Sequence, residues 1–255
     1  MITIIRNIDV YAPEPMGNKD VLLIGNKIAA IEDNIEFSLN NLVDVIEVNG
    51  NGKILVPGFI DCHVHIMGGG REGGFATRTP EATLSGFTRF GVTTVVGCLG
   101  TDGVARDINS LLVKARGLEE EGITTFIYTG SYRLPLKTLT GDIMRDIMAI
   151  DKIIGIGEIA ISDHRSSQPS FDEFSKAGIV NVHIGDGPRK MELIRRVVEE
   201  TEIPITQFLP THINRNKELF EEGIEYAKKG GYIDFTGSED PDSWEEEGEI
   251  RFSKG

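Results

Sequence analysis

From Pro57 and Gly58 onward the chain repeats one pattern: a short apolar run ending in polar residues, then an amphipathic stretch with apolar residues at helical spacing. That pattern leaves few folds open. Strands joined by helices run parallel, and a parallel sheet is covered by helices, so the chain is expected to build an α/β fold of βα units. The expected strands are 59–66, 92–99, 124–130, 153–161, 179–184, 205–211 and 232–236, and the clearest helices 105–121, 189–200 and 217–229. Seven strands are one fewer than a closed (β/α)8 barrel requires. The tail after Thr236 is acidic and turn-rich and supplies no eighth strand. The pattern therefore gives either an open sheet or a barrel whose eighth strand is absent from this sequence.

Residues 1–55 follow another rhythm, with short strands expected at 2–10, 20–24, 27–31 and 43–48 and Asn and Gly at the turns. They form a small β module ahead of the barrel region at 56–255. With 255 residues and 40% hydrophobic content, the chain can bury a real core. Lys and Arg total 26 against 40 Asp and Glu, a net charge of −14 without any basic cluster, which argues against nucleic acid or an anionic membrane as partner. Apolar runs stop far short of the ~20 residues of a membrane span, and the N-terminus alternates like a strand rather than reading as a signal peptide. Two cysteines, Cys62 and Cys98, cannot make a disulfide framework. Each is expected to pack as a small hydrophobe in a reducing, cytoplasmic setting.

Four of the five histidines, His63, His65, His183 and His212, lie at or near the C-terminal ends of expected strands, the face where barrel chemistry gathers. His63 and His65 are two apart on a strand, so both imidazoles face one way, roughly 6 to 7 Å apart along the backbone. Glu158 rises between the later strands. A lone strand histidine is more often an ordinary hydrogen-bonded residue, and a buried carboxylate is costly unless partnered. Taken together, four imidazoles and a carboxylate at one rim suit zinc or a similar borderline metal rather than magnesium or calcium. His164 lies past its strand and belongs to a loop. Gly155 and Gly157 lack the third glycine of a dinucleotide loop. The glycine-rich loop at 68–74 directly follows the His-x-His strand and can bring backbone N–H groups and Glu72 to a substrate.

Pro57-Gly58-Phe59-Ile60-Asp61-Cys62-His63-Val64-His65 resembles the opening barrel strand of the amidohydrolase superfamily. Thr77-Arg78-Thr79-Pro80, Gly100-Thr101-Asp102, Thr129-Gly130-Ser131-Tyr132, Ser162-Asp163-His164-Arg165-Ser166, His183-Ile184-Gly185-Asp186 and Pro210-Thr211-His212-Ile213-Asn214-Arg215-Asn216 narrow the resemblance to its isoaspartyl dipeptidases, or β-aspartyl peptidases. The resemblance implies a TIM-like (β/α)8 metallohydrolase barrel with a small N-terminal β-sandwich module. It also implies a binuclear zinc peptidase that cleaves the β-linked bond of isoaspartyl dipeptides through a metal-bridging hydroxide. His63 and His65 would hold one zinc, His183 and His212 the other, and Glu158 would bridge them. Tyr132 would polarise the carbonyl, Arg165 and Arg215 would grip the substrate carboxylate, and Gly70, Glu72 and Thr101 would fix its α-amino end. The expected partner is a small isoaspartyl peptide, and the expected assembly a homo-oligomer.

Three departures from that family pattern stand out. Glu158 replaces a carboxylated lysine, with one extra residue just upstream. Lys152 and Lys176, the nearest lysines in sequence, sit at the wrong ends of their strands to replace it. Phe174-Ser175 joins two segments where the family has a longer helix, as though residues were omitted. The strand that carries the family's proton-shuttling Asp is not reached. Two other readings share parts of the pattern: an amidohydrolase of cyclic or acyl amides, such as a dihydroorotase-like enzyme, and a non-catalytic scaffold.

Overall fold

The computed structural model describes residues 1–36, 44–70, 73–175 and 180–237, in two compact units, Met1–Phe59 and Ile60–Gly255. In the first unit, β1 (Ile2–Tyr11) lies between antiparallel β2 (Pro15–Ile24) and parallel β4 (Val45–Asn49), and β3 (Lys27–Glu32) pairs with β2. A two-residue strand, β5 (Ile54–Leu55), also pairs with β1 and is one that the sequence pattern does not announce. Ile4 packs with Leu22 and Ile35 in one buried cluster and Ile8 and Val10 with Val21 in another, the register shift between Ile5 and Ile8 dividing them. Asp20 is buried with them, and there its carboxylate accepts from Arg6 Nη1 (2.6 Å), Asn7 N (3.0 Å) and Ile35 N (3.1 Å).

The second unit is the βα region. β6 (Phe59–Val64), β7 (Val92–Gly97), β8 (Thr124–Thr129), β9 (Ile153–Ile161), β10 (Val180–Ile184) and β11 (Phe208–Thr211) form one sheet in sequence order, parallel wherever register is defined. Sequential order is what right-handed βα crossovers produce. Helix α2 (Ile108–Glu121) starts where Asp107 accepts from Ser110 N and buries Ile108, Leu111, Ala115 and Leu118 on one face. Helix α6 (Lys217–Lys228) starts in the same way at Asn216, and α5 (Glu192–Glu200) buries Ile194 and Val197. Shorter helices, α1 (Leu84–Thr88), α3 (Ile143–Ala149) and α4 (Phe171–Ser175), complete the crossovers. The expected discontinuity begins where α4 ends, and residues 176–179, Lys176 among them, lie outside the described residues.

Two expected strands are corrected. Residues 205–207 form a 3-10 turn after Pro204, so β11 starts only at Phe208. Residues 232–236 form no strand. Asp234 N donates to Pro210 O (2.9 Å) and Ile213 N to Asp234 O (3.2 Å), but Thr236 turns to the Asn214 carboxamide, giving its N–H to Oδ1 and taking Nδ2–H on its carbonyl (2.9 Å each). A side chain thus takes the bonds that would have continued the ladder. Six strands, not seven, form the parallel sheet among the described residues. No described helix is long and apolar enough to cross a membrane.

Candidate metal centre

The site stands at the C-terminal rim of this sheet. His63 lies in β6, and His65 follows it. Glu158 lies in β9, His183 in β10, and His212 directly after β11 in a left-handed backbone conformation (φ 64°). β6 and β11 are opposite ends of the strand order, yet the rings of His63 and His212 are 5.3 Å apart between centroids. His63 Nδ1 also meets Asn181 Oδ1 of β10 at 3.0 Å. Strands remote in the sheet can meet in this way only if the sheet curls into a barrel wall.

Glu158, 2% exposed, is the hub. Its Oε1 is 2.5 Å from His183 Nδ1 and 3.8 Å from His212 Nε2, while Oε2 is 3.5 Å from His63 Nε2 and 3.6 Å from His65 Nε2. Register explains how it gets there. Between the pairs Val180 with Ile156 and Val182 with Ile159, β9 spends one residue more than β10, a bulge immediately beside Glu158. It lies where the sequence carries its extra residue, and bulges of this kind re-aim a side chain.

Two groups of donors share Glu158: His63, His65 and Cys98 on one side, His183 and His212 on the other, with the donor atoms of each group within 4.8 Å of one another. Two buried donors, His63 Nε2 and Glu158 Oε2, have no hydrogen-bond partner. Buried polar atoms are rarely left so, and a cation held between them would satisfy both. The Asn181 bond fixes a proton on His63 Nδ1 and turns the Nε2 lone pair toward Glu158, the outer-shell arrangement of metal-binding histidines. The residues therefore fit a borderline divalent metal.

Charge is balanced tightly here. Burial opposes ionisation of Glu158, but His63, His183 and His212 outweigh it and hold the carboxyl well below the usual carboxylate range. Cys98 next to His65 raises that imidazole to about 9, whereas burial pushes His212 down to about 4. Protons thus occupy part of a centre that a metal would take over, and metal uptake releases them.

Beside the hub, Asp163 accepts from Tyr132 Oη (2.7 Å), from Arg165 Nε and Nη2 (3.0 and 2.7 Å) and from Arg165 N (2.7 Å), and lies 3.2 Å from His183 Nε2. Burial and the bond to Asp163 push the Tyr132 phenol upward, so it remains a proton donor. Arg165 lies over the Tyr132 ring at 5.5 Å. Thr101 Oγ1 donates to Gly70 O (3.3 Å), joining two of the expected substrate contacts. Gly70 has φ +82°, and a Cβ there would meet Thr77 O at 2.2 Å, so only glycine fits. Arg215 stands apart from this network: Nη1 is 3.5 Å from Asp186 Oδ1, and its buried Nε has no partner. Glu72 lies outside the described residues. His164 is exposed, as a loop residue should be, and Lys152 is held by Glu119 and Thr125 O, away from the hub.

Sequence reasoning missed Cys98, Asn181 and Asp163. Cys98 is buried against Val96 and Tyr128 as expected of a small hydrophobe, but its Sγ is also 3.5 Å from His65 Nδ1. Its position just after β7, at the same rim as the histidines, is the signal that could have marked it.

A curled sheet of parallel βα units with a His-x-His strand, two further histidines and a buried shared carboxylate at its C-terminal rim defines an amidohydrolase barrel. The β-aspartyl dipeptidase of Fervidobacterium islandicum AW-1, a thermophilic keratin degrader, is 50% identical with a TM-score of 0.89 over 95% of this chain and 69% of that one. The chain belongs to the β-aspartyl dipeptidase family of the amidohydrolase superfamily. A second structure from that organism, in complex with β-Asp-Leu dipeptide, is 51% identical with a TM-score of 0.87 over 92% of this chain and 64% of that one. A dihydroorotase of Elusimicrobium minutum is 36% identical over 89 residues, 33% of this chain and 19% of that one. The chain thus spans about two thirds of the structural relatives and a fifth of the dihydroorotase. No protein-family model matches it.

Proposed function

We propose that this protein is a binuclear zinc peptidase that hydrolyses the β-linked bond of isoaspartyl dipeptides. The observation that carries the proposal is Glu158, shared between two groups of imidazoles, in a chain 51% identical to a dipeptidase bound to β-Asp-Leu. In this reading His63 and His65 would hold one zinc and His183 and His212 the other, with Glu158 shared between them. Bound zinc supplies a Lewis acid for the amide carbonyl and lowers the pKa of water toward neutrality. The chain's own residues do the rest. Tyr132, kept protonated, gives its single O–H to Asp163 and would turn it to the carbonyl oxygen as negative charge develops there. Arg165, held on Asp163 through Nε and Nη2, and Arg215 would bring guanidinium charge to the substrate carboxylate. Arg215 brings a free Nε–H to this task. Gly70, Thr101 and Glu72 receive the α-amino end, and the buried Arg106 holds their loop by donating to Gly69 O (3.0 Å) and Thr79 O (2.8 Å).

The test is an assay of the purified protein on an isoaspartyl dipeptide, its α-linked isomer and dihydroorotate, with metal analysis. The expected result is two zinc ions per chain and cleavage of the β-linked isomer alone. Equal cleavage of the α isomer would sink the substrate assignment. Turnover of dihydroorotate would favour the second reading, to which the 89-residue likeness to a dihydroorotase lends support. We take the working unit to be a homo-oligomer, which light scattering on the same sample tests.

A further inference from the structure

Resting on the metal-dependent reading above, we propose that Cys98 is itself a metal ligand. It supplies a thiolate to the ion held by His63 and His65, so that this half of the centre has a nitrogen, oxygen and sulfur donor set for a borderline-soft divalent cation such as zinc.

The geometry carries the argument. Cys98 is 1% exposed, sits one residue beyond β7, and has its Sγ 3.5 Å from His65 Nδ1, while His65 Nε2 is the nitrogen that faces Glu158. One donor from each of His63, His65, Cys98 and Glu158 lies within 4.8 Å of the others. A tetrahedral zinc with bonds of about 2.0–2.1 Å to nitrogen and about 2.3 Å to sulfur sets donors about 3.3–3.6 Å apart. The Glu158 Oε2 separations of 3.5 and 3.6 Å from His63 and His65 Nε2 already match. Donors as far apart as 4.8 Å have to close by about 1 Å to reach that geometry. A cysteine beside a histidine would not by itself make a site. The independent observation is that His63 Nε2 and Glu158 Oε2, on side chains 8% and 2% exposed, face the same place without any hydrogen-bond partner. The backbone makes room as well: a Cβ on Gly100 would come within 2.8 Å of the His65 ring, so a bulkier residue two positions after Cys98 would displace that imidazole.

The consequence is an asymmetric centre. A divalent ion bound by two neutral imidazoles, a thiolate and the shared carboxylate is charge-neutral and firmly held, and the thiol proton passes to solvent on binding. Among the described residues, an ion at His183 and His212 would have the shared carboxylate beside two imidazoles, which would leave coordination positions for water and substrate. Thiolate also favours zinc over magnesium or calcium.

The experiment is zinc K-edge X-ray absorption on the full-length zinc-loaded protein, as wild type, Cys62→Ser and Cys98→Ser, with zinc affinity from competition with a chelator. Expected are one sulfur per two zinc ions at about 2.3 Å in wild type and in Cys62→Ser, and none in Cys98→Ser. The tighter affinity in Cys98→Ser should fall by more than the roughly 10- to 100-fold that loss of an outer-shell residue costs. A shell of nitrogen and oxygen only in wild type overturns the proposal, and so does a sulfur shell lost with Cys62 or kept without Cys98. If Cys98→Ser does not fold, Cys62→Ser still decides, because Cys98 is then the one remaining thiol. Isoaspartyl hydrolysis measured in parallel separates the two claims. An active enzyme without zinc–sulfur bonds overturns this inference alone, and a zinc–sulfur shell in an inactive protein overturns the peptidase reading alone.

Discussion

In the proposed bridging role Glu158 would stand where the family resemblance implies a carboxylated lysine, and a glutamate is already an anion above about pH 4.3. Assembly should therefore need no bicarbonate: apo-protein refilled with zinc in carbon-dioxide-depleted buffer is expected to recover full activity. Glu158→Gln should lose metal, measured by plasma emission, because a neutral amide cannot offset two nearby cations. Asn181 acts one shell further out. Asn181→Leu removes the acceptor that orients His63 and should weaken zinc binding by about 10- to 100-fold while leaving the fold's circular dichroism unchanged. Arg165→Ala and Arg215→Ala should each cost about 1.5 to 3 kcal/mol in kcat/KM for the isoaspartyl dipeptide, a tenfold to hundredfold loss, with bound metal unchanged. The histidines and Glu158 were legible in the sequence because strand spacing fixes which way a side chain faces. Asn181 was not, since its partner His63 is 118 residues away and two strands with no shared ladder bring them together.

At the scale of elements, α3 shows how a short helix is anchored. Asp146, fully buried, accepts from Thr129 Oγ1 (2.6 Å) in β8, from Leu139 N (2.9 Å), and from Thr140 N and Oγ1 (2.8 and 2.6 Å). Burial disfavours its charge, but these donors outweigh burial and hold its carboxyl below the usual range. A carboxylate depressed in the folded state stabilises fully above its unfolded pKa of about 3.9, and that stability is lost as pH falls through the folded value. Asp146→Asn replaces one acceptor oxygen by a donor facing donors, at a cost of roughly 2 to 3 kcal/mol near neutrality. In thermal melts the gap in Tm between wild type and Asp146→Asn should be constant from pH 7 to about 5 and narrow below pH 4. The helices α2, α5 and α6 were readable from apolar spacing and their ends only approximately. The 3-10 turn before β11 and the absence of a strand at 232–236 were not readable, because the same apolar residues satisfy a strand, a turn or a side-chain-capped segment until their hydrogen-bond partners are in place.

For the whole molecule, the centre is tied to β6, β7, β9, β10 and β11 at once, so metal should act as a clasp on the curled sheet. Zinc at a thousand times its Kd should stabilise by about 4 kcal/mol. For a chain of this size that raises Tm by roughly 8 to 16 °C in scanning calorimetry, and a chelator should reverse it. The sequence by itself determined the alternation of strands and helices between 57 and 211, the parallel sheet, and the rim at which four histidines and Glu158 gather. Those follow from local periodicity and from the rule that side chains alternate along a strand, which need no knowledge of distant residues. Only the tertiary structure decided that β6 and β11 curl toward one another, that a bulge in β9 turns Glu158 into the hub, and that Cys98, Asn181 and Asp163 stand beside the histidines. These depend on contacts between strands far apart in the chain, where register and curvature, rather than the identity of neighbouring residues, set which atoms meet.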